Sequence, residues 1–227
     1  DLMRLFSSER VMAMMDAMGL DEDTPIDAKI LSGAVENAQK SVEGRHFRSR
    51  KNVLEYDNVM NTQRQIIYAQ RQKVLDGEDL RENILSMLRS TVDSAVADAI
   101  AENGGVNESA VSTITTALGF CLPKGLTMPE KQDELADAVY EAAEGVYAQK
   151  EAHYGAEVMR ELERVIMLRV VDELWMEHID AMDDLKQGIG LRAYGQHDPV
   201  VAYKEEGFSM FEAMVDSIRE ETVRRLF

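Results

Sequence analysis

Between Pro25 and Pro123 the chain carries no proline, and this long permission for helix constrains the fold more than any other feature. Proline lacks a backbone N–H and clashes with the preceding turn, so it ends helices. Thr24-Pro25-Ile26-Asp27 reads as a helix start. Thr24 caps, Pro25 suits the first helical position and Asp27 sits where a capping acid belongs. Apolar residues then recur at Ile30, Ala34, Ala38 and Val42, and at Val53, Val59, Met60, Ile67 and Leu75. One helix from Pro25 to about Asp76 would be roughly 75 Å long at 1.5 Å per residue. Gly33 and Gly44 weaken it and could mark a kink. A helix that long cannot be buried in a globule of 227 residues. It must act as a spine on which other units lean.

Three other regions follow from the same punctuation. Ser8 to Met18 reads as a Met-rich helix stopped by Gly19. Gly77 to Gly155 is acidic and turn-rich, with helices expected at Leu80 to Ala101 and Glu130 to His153. Thr127-Met128-Pro129-Glu130 repeats the capping pattern, and Val111 to Leu122 is ambiguous. This stretch reads as a separate module inserted between two helical parts. Beyond it, Val158, Leu162, Val165, Leu168, Val171, Trp175, Ile179, Met182, Leu185 and Ile189 step by three or four, a long amphipathic helix. Gly188, Gly190 and Gly195 are expected to break it. Asp198-Pro199 restarts a helix whose apolar face is Phe208, Phe211, Val215 and Ile218. The two form an antiparallel hairpin. The expected fold is therefore all-α: a long scaffold helix, an inserted helical module and a two-helix hairpin.

Composition narrows function by exclusion. The chain is 45% hydrophobic and 30% charged, enough apolar surface to fold. No segment approaches the roughly 18 apolar residues of a membrane span. The opening Asp1-Leu2-Met3-Arg4 lacks a signal-peptide pattern, and the single cysteine, Cys121, allows no internal disulfide. A cytosolic setting is the expectation. The net charge of −17 argues against nucleic acid as a partner. Charge is uneven: Arg45 to Lys73 is net +5, whereas Asp76 to Glu157 is net −11. The contrast implies two surfaces with different partners, or two subdomains.

Signatures of catalysis are scarce. There is no phosphate loop, and Gly188-Ile189-Gly190 lacks both the third glycine and the preceding strand of a dinucleotide site. His46, His153, His178 and His197 have no metal-ligand spacing. No catalytic, cofactor-binding or metal-ligating residue is assigned. Cys121 reads as a buried structural thiol. Trp175, mid-stripe, reads as a packing residue. Arg45, Arg48, Arg50 and Lys51 could meet phosphates but suit an acidic protein surface better. The turn between Gly188 and Pro199 is unusual because turn tips are normally polar, and this one carries Ile189, Leu191, Arg192 and Tyr194. Either they fold back onto the hairpin, or they form an exposed tip that touches something apolar or extended.

Two blocks then carry a resemblance. Glu36-Asn37-Ala38-Gln39-Lys40, Val42-Glu43-Gly44-Arg45, Phe47, Arg50-Lys51, Leu54-Glu55-Tyr56-Asp57 and Gln63-Arg64 form the first. Leu174-Trp175, Glu177-His178, Gln187-Gly188-Ile189, Leu191-Arg192-Ala193-Tyr194, Asp198-Pro199, Tyr203-Lys204 and Met210-Phe211 form the second. Together they resemble the SecA family, ATPases that drive preproteins through the bacterial Sec channel.

The resemblance implies an assignment. Residues 1–23 look like the tail of the second motor domain, 24–76 the helical scaffold, 77–155 the helical wing, and 156–227 the two-helix finger. The finger-loop tyrosine that contacts the moving polypeptide falls on Tyr194, with Ile189, Leu191 and Arg192 beside it. Arg45, Arg50, Tyr56, Asp57 and Trp175 fall where scaffold and motor couple. The implied partners are the SecYEG channel, unfolded preproteins, the missing motor domains, an anionic membrane surface and, in the parent, a second copy. The implied location is cytoplasmic, peripheral at the membrane. The chain, starting at Asp1, reads as a fragment that does not itself hydrolyse ATP; ATP and Mg belong to the parent. The rivals are a free-standing helical adaptor and an RNA-binding accessory domain, which a salt titration would separate.

Overall fold

The computed structural model of the chain describes residues 13, 17, 29–77, 80–129, 131–192 and 198–227. Among these, every regular element is a helix: α1 (Lys29–Asp76), α2 (Leu80–Asn103), α3 (Glu108–Leu118), α4 (Gln132–Tyr154), α5 (Ala156–Arg192) and α6 (Pro199–Leu226). The all-α expectation holds. Apart from residues 13 and 17, the helix expected at Ser8 to Met18 lies outside the described residues, as does the Thr24-Pro25 start. The chain forms two compact units, Asp1–Asn58 and Val59–Phe227.

α1 passes through Gly33 and Gly44 without interruption over its 48 residues. An internal glycine costs a helix only about 1 kcal/mol, too little to break so long a ladder. In the first unit, Lys40 pairs with Glu36 one turn back at 2.6 Å, and Arg48, Arg50 and Lys51 are exposed.

In the second unit three apolar clusters lie along the helices. Ile67 of α1 meets Val170 and Trp175 of α5 and Phe211, Met214 and Ile218 of α6. Val74 then gathers Leu80 and Ile84 of α2, Tyr147 of α4, Met159 and Met167 of α5, and Leu226. Farther on, Leu88 and Val92 of α2 pack with Ile114 of α3, Leu135 and Val139 of α4, and Val223 of α6. The 77–155 stretch therefore shares its core with the last turns of α6. Lys150 of α4 adds a polar tie, donating to the Leu226 carbonyl at 3.1 Å, where a helix end favours a cation.

The ambiguous Val111 to Leu122 stretch is α3, started by Asn107, whose side chain accepts from Ala110 N at 2.9 Å. Cys121 is buried, its Sγ donating to the Leu118 carbonyl at 3.2 Å, and burial pushes the thiol up to about 11. Thr127 does not cap α4. Lys131 stands at the boundary without a side-chain cap bond, because Met128 packs against the core and the chain turns helical only after reaching it. Gly155, at φ 87°, separates α4 from α5.

The expected stripes hold at Trp175, Met182, Leu185 and Ile189 of α5 and at Phe211 and Ile218 of α6, which are buried, but fail toward the N-terminal end of each helix. Val158, Leu162, Val165 and Phe208 are exposed. The buried row of α5 runs Met159, Glu163, Met167, Val170, Trp175, His178, Met182, Leu185 and Ile189, and that of α6 runs Tyr203, Gly207, Phe211, Met214 and Ile218. Glu163, His178 and Gly207 belong to these rows, and counting apolar residues alone steps around them. α5 also continues through Gly188 and Gly190 to Arg192; burying Ile189 outweighs the small helix penalty of two glycines.

Candidate functional site

The candidate site is the α5–α6 hairpin and the stretch of α1 that braces it. Asp198 caps α6, accepting from Val200 N at 2.8 Å, with Pro199 behind it. Tyr194 lies outside the described residues. Leu191 and Arg192 complete α5, their side chains likewise undescribed. Ile189 is buried, with 2% of its surface exposed. That corrects its placement on an exposed tip: of the two readings open from the sequence, Ile189 follows packing.

The base of the hairpin is tied to α1 by a buried polar relay. Gln63 of α1 donates through Nε2 to the Gly207 carbonyl of α6 at 2.9 Å. Its Oε1 lies 2.9 Å from His178 Nε2 of α5; an amide oxygen only accepts, so the imidazole donates. Gln63 and His178 are both buried. The His178 ring sits 5.6 Å from that of Trp175 and 5.8 Å, edge to face, from that of Phe211. Burial holds the imidazole below its ordinary range, which keeps it neutral. A satisfied polar set in an apolar core specifies one register, because any slip strands its donors and acceptors. Gly207 makes the approach possible: a Cβ there would lie 2.7 Å from Met182 Cε.

A second buried network lies across the α4–α5 break. Glu163 is fully buried. Tyr147 Oη donates to its Oε1 at 2.5 Å, and Arg160 Nη2 donates to the same oxygen at 2.9 Å. Arg160 also reaches Glu151 Oε1 at 2.8 Å. Desolvation pushes the Glu163 carboxyl above the usual carboxylate range, outweighing the Tyr147 bond and the Arg160 charge that pull it down.

Trp175 is buried in the hairpin core, the packing role expected of it. Arg45, Arg50, Tyr56 and Asp57 lie on α1 in the first unit; Tyr56 is buried and the other three are exposed. Gln63 and His178 stand in the blocks that carry the resemblance, but nothing in the sequence assigns them, Gly207 or Glu163 a place in the hairpin core. The signal was periodic: each falls three or four residues from buried neighbours on its own helix.

Arg45, Arg48, Arg50 and Lys51 sit mid-helix, where the backbone N–H groups are engaged in the helix ladder. No three metal-ligating side chains converge among the described residues. Nor is any described helix long and apolar enough to cross a membrane.

Residues 25–227 match the SecA wing and scaffold domain family. The whole chain is 51% identical to part of protein translocase subunit SecA 1 of Clostridioides difficile (strain 630), covering 26% of that protein. It is 48% identical to protein translocase subunit SecA of Clostridium acetobutylicum, covering 28%, and 45% identical to that of Symbiobacterium thermophilum, covering 27%. The chain thus spans about a quarter of the length of these relatives.

Proposed function

Because this chain belongs to the SecA wing and scaffold domain family, we propose that it is the mechanical output of a protein translocase subunit. Motor domains elsewhere in the longer protein bind Mg-ATP, and their movement reaches a polypeptide through α1 and the hairpin. In this reading 1–23 is the tail of a motor domain, 24–76 the scaffold, 77–155 the wing and 156–227 the two-helix finger. Tyr194, Leu191 and Arg192 contact the unfolded preprotein at the mouth of the SecYEG channel, while buried Ile189 braces the end of α5. Arg45, Arg50, Tyr56 and Asp57 take up motion from the motor domains, and Trp175 anchors the hairpin that relays it. The work is done in the cytoplasm, at an anionic membrane surface, with a second copy in the parent.

The observation that carries this reading is the base of the hairpin. Ile67 and Gln63 hold both hairpin helices by apolar packing and the buried relay. A tip on such a base moves with α1 instead of bending independently. An aromatic tip suits diverse substrates, since a large amphipathic ring grips without a fixed hydrogen-bond pattern.

The test is Tyr194→Ala in the full-length parent. The fold should change by no more than about 0.5 kcal/mol, as a surface position does. Reconstituted preprotein translocation should fall sharply while basal ATP turnover persists, and Tyr194→Phe should retain more transport than Ala. Transport by Ala equal to that of the parent, or unfolding by Ala, would overturn the assignment.

A further inference from the structure

At the α4–α5 break the polar groups are in conflict. Arg160 Nη2 carries two hydrogens and faces three acceptors: Tyr147 Oη at 2.5 Å, Glu151 Oε1 at 2.8 Å and Glu163 Oε1 at 2.9 Å. Arg160 Nε, on the same guanidinium, is buried without an acceptor, and Glu163 Oε2 is buried without a donor. Each unpaired group is costly. A guanidinium and a carboxylate ordinarily satisfy each other through two parallel bonds. Residues 160 and 163 are one turn apart on α5, a spacing at which side chains pair. The observed arrangement forgoes that side-on pair in order to reach Tyr147 and Glu151 on α4.

Gly155 makes a pivot of the break. It joins the two helices at φ 87°, a left-handed value that glycine holds without strain, and a Cβ there would meet nothing within 4 Å. Residues 152–158 are exposed. Among the described residues, the polar tie from the last turn of α4 to α5 is the Arg160–Glu151 pair. Arg81 of α2 adds a longer contact to Glu151, at 3.4 Å. The rest of α4 is anchored elsewhere, by Leu135, Val139 and Ala143 in the core and by Lys150, which donates to the Leu226 carbonyl. The end of α4 is therefore free to part from α5 while the module stays attached.

Glu163 decides between the two pairings. The titratable and charged groups that face it are Tyr147 and Glu151 from α4, Arg160 from α5 and Arg81 from α2. Burial lifts its carboxyl above the ordinary range. A neutral unpaired oxygen costs less to bury than a charged one, so the protonated form tolerates the observed arrangement. The ionised form gains most from the full guanidinium edge. We propose that the α4–α5 junction is a proton-controlled joint: Arg160 is shared with Tyr147 and Glu151 of α4 while Glu163 is protonated, and pairs side-on with Glu163 when it ionises, releasing the last turn of α4 about Gly155.

The experiment is amide hydrogen exchange of the whole chain from about pH 4 to about pH 8, corrected for the intrinsic pH dependence of exchange. Protection of residues 148–154 should fall by up to roughly tenfold per pH unit above the ordinary glutamate range, where opening releases a proton. Residues 170–182 of the hairpin core should keep theirs. In step with the loss, the Arg160 Nε–H resonance should move downfield as it gains a carboxylate partner. Glu163→Gln cannot ionise and should hold one level of protection across the range. Tyr147→Phe removes a partner of Arg160 on α4 and should lower protection of residues 148–154 about tenfold even at the acid end. Flat protection of residues 148–154 in the parent chain overturns the proposal without recourse to a variant. The same pH slope in Glu163→Gln overturns it too, as does an equal loss in the hairpin core or an Nε–H resonance that stays in place.

Discussion

Adding one methyl group at two glycines of the same hairpin should move stability in opposite directions. Gly188 and Gly207 are both helical, and in both an alanine gains about 0.5–1 kcal/mol by losing less backbone entropy on folding. At Gly188 a Cβ meets nothing within 4 Å, so that gain is kept. At Gly207 it would lie 2.7 Å from Met182 Cε and 3.3 Å from its Sδ. Met182 is fully buried, so its flexible end has little room to retreat. Overpacking of this kind costs about 1–3 kcal/mol. The net effect of Gly207→Ala is a loss of about 1 kcal/mol, and the two alanines differ by about 2 kcal/mol. In a chain of this size 1 kcal/mol corresponds to about 2–4 °C of melting temperature. Gly188→Ala should therefore melt a few degrees above the parent chain and Gly207→Ala a few degrees below. Circular dichroism follows the helices and Trp175 fluorescence follows the hairpin core. In a Met182→Ala background the clash is gone, and Gly207→Ala should become neutral or stabilising. If Gly207→Ala equals Gly188→Ala in the parent chain, the close approach of α5 and α6 is wrong.

Trp175→Ala should cost about 3–5 kcal/mol, the usual penalty for removing a large buried aromatic; a melting temperature that barely moves would mean the indole is exposed. Glu163 tests the second network through pH. Its carboxyl is raised by burial in the fold, so its stabilising contribution is fully present below the unfolded carboxylate value and is lost as pH rises through the folded one. The stability of the parent chain relative to Glu163→Gln should therefore decline as pH rises above the unfolded glutamate value of about 4.3. Thermal melts of both at matched ionic strength measure this, and a flat difference would show that burial does not control the carboxyl.

What could be read from the sequence and what could not divide along a physical line. Helix existence is local. Missing prolines, the Asp198-Pro199 start and three-to-four-residue apolar spacing sufficed for α1, α5 and α6. The same residues carried the resemblance, which the family match over residues 25–227 supports. Which face a helix buries is not local. Glu163, His178 and Gly207 lie on the buried rows because Tyr147, Gln63 and Met182 arrive from other helices to pair with them or crowd them. Val158 and Phe208 look like core residues and are exposed for the same reason. Ile189 turned from a tip residue into a buried one when α5 ran past Gly188, a choice set by packing energy rather than by glycine. The cavity of about 270 Å³ between α1, α2, α5 and α6 is the most tertiary feature of all. It exists because four helices meet imperfectly there, and no spacing along one chain encodes a gap between four.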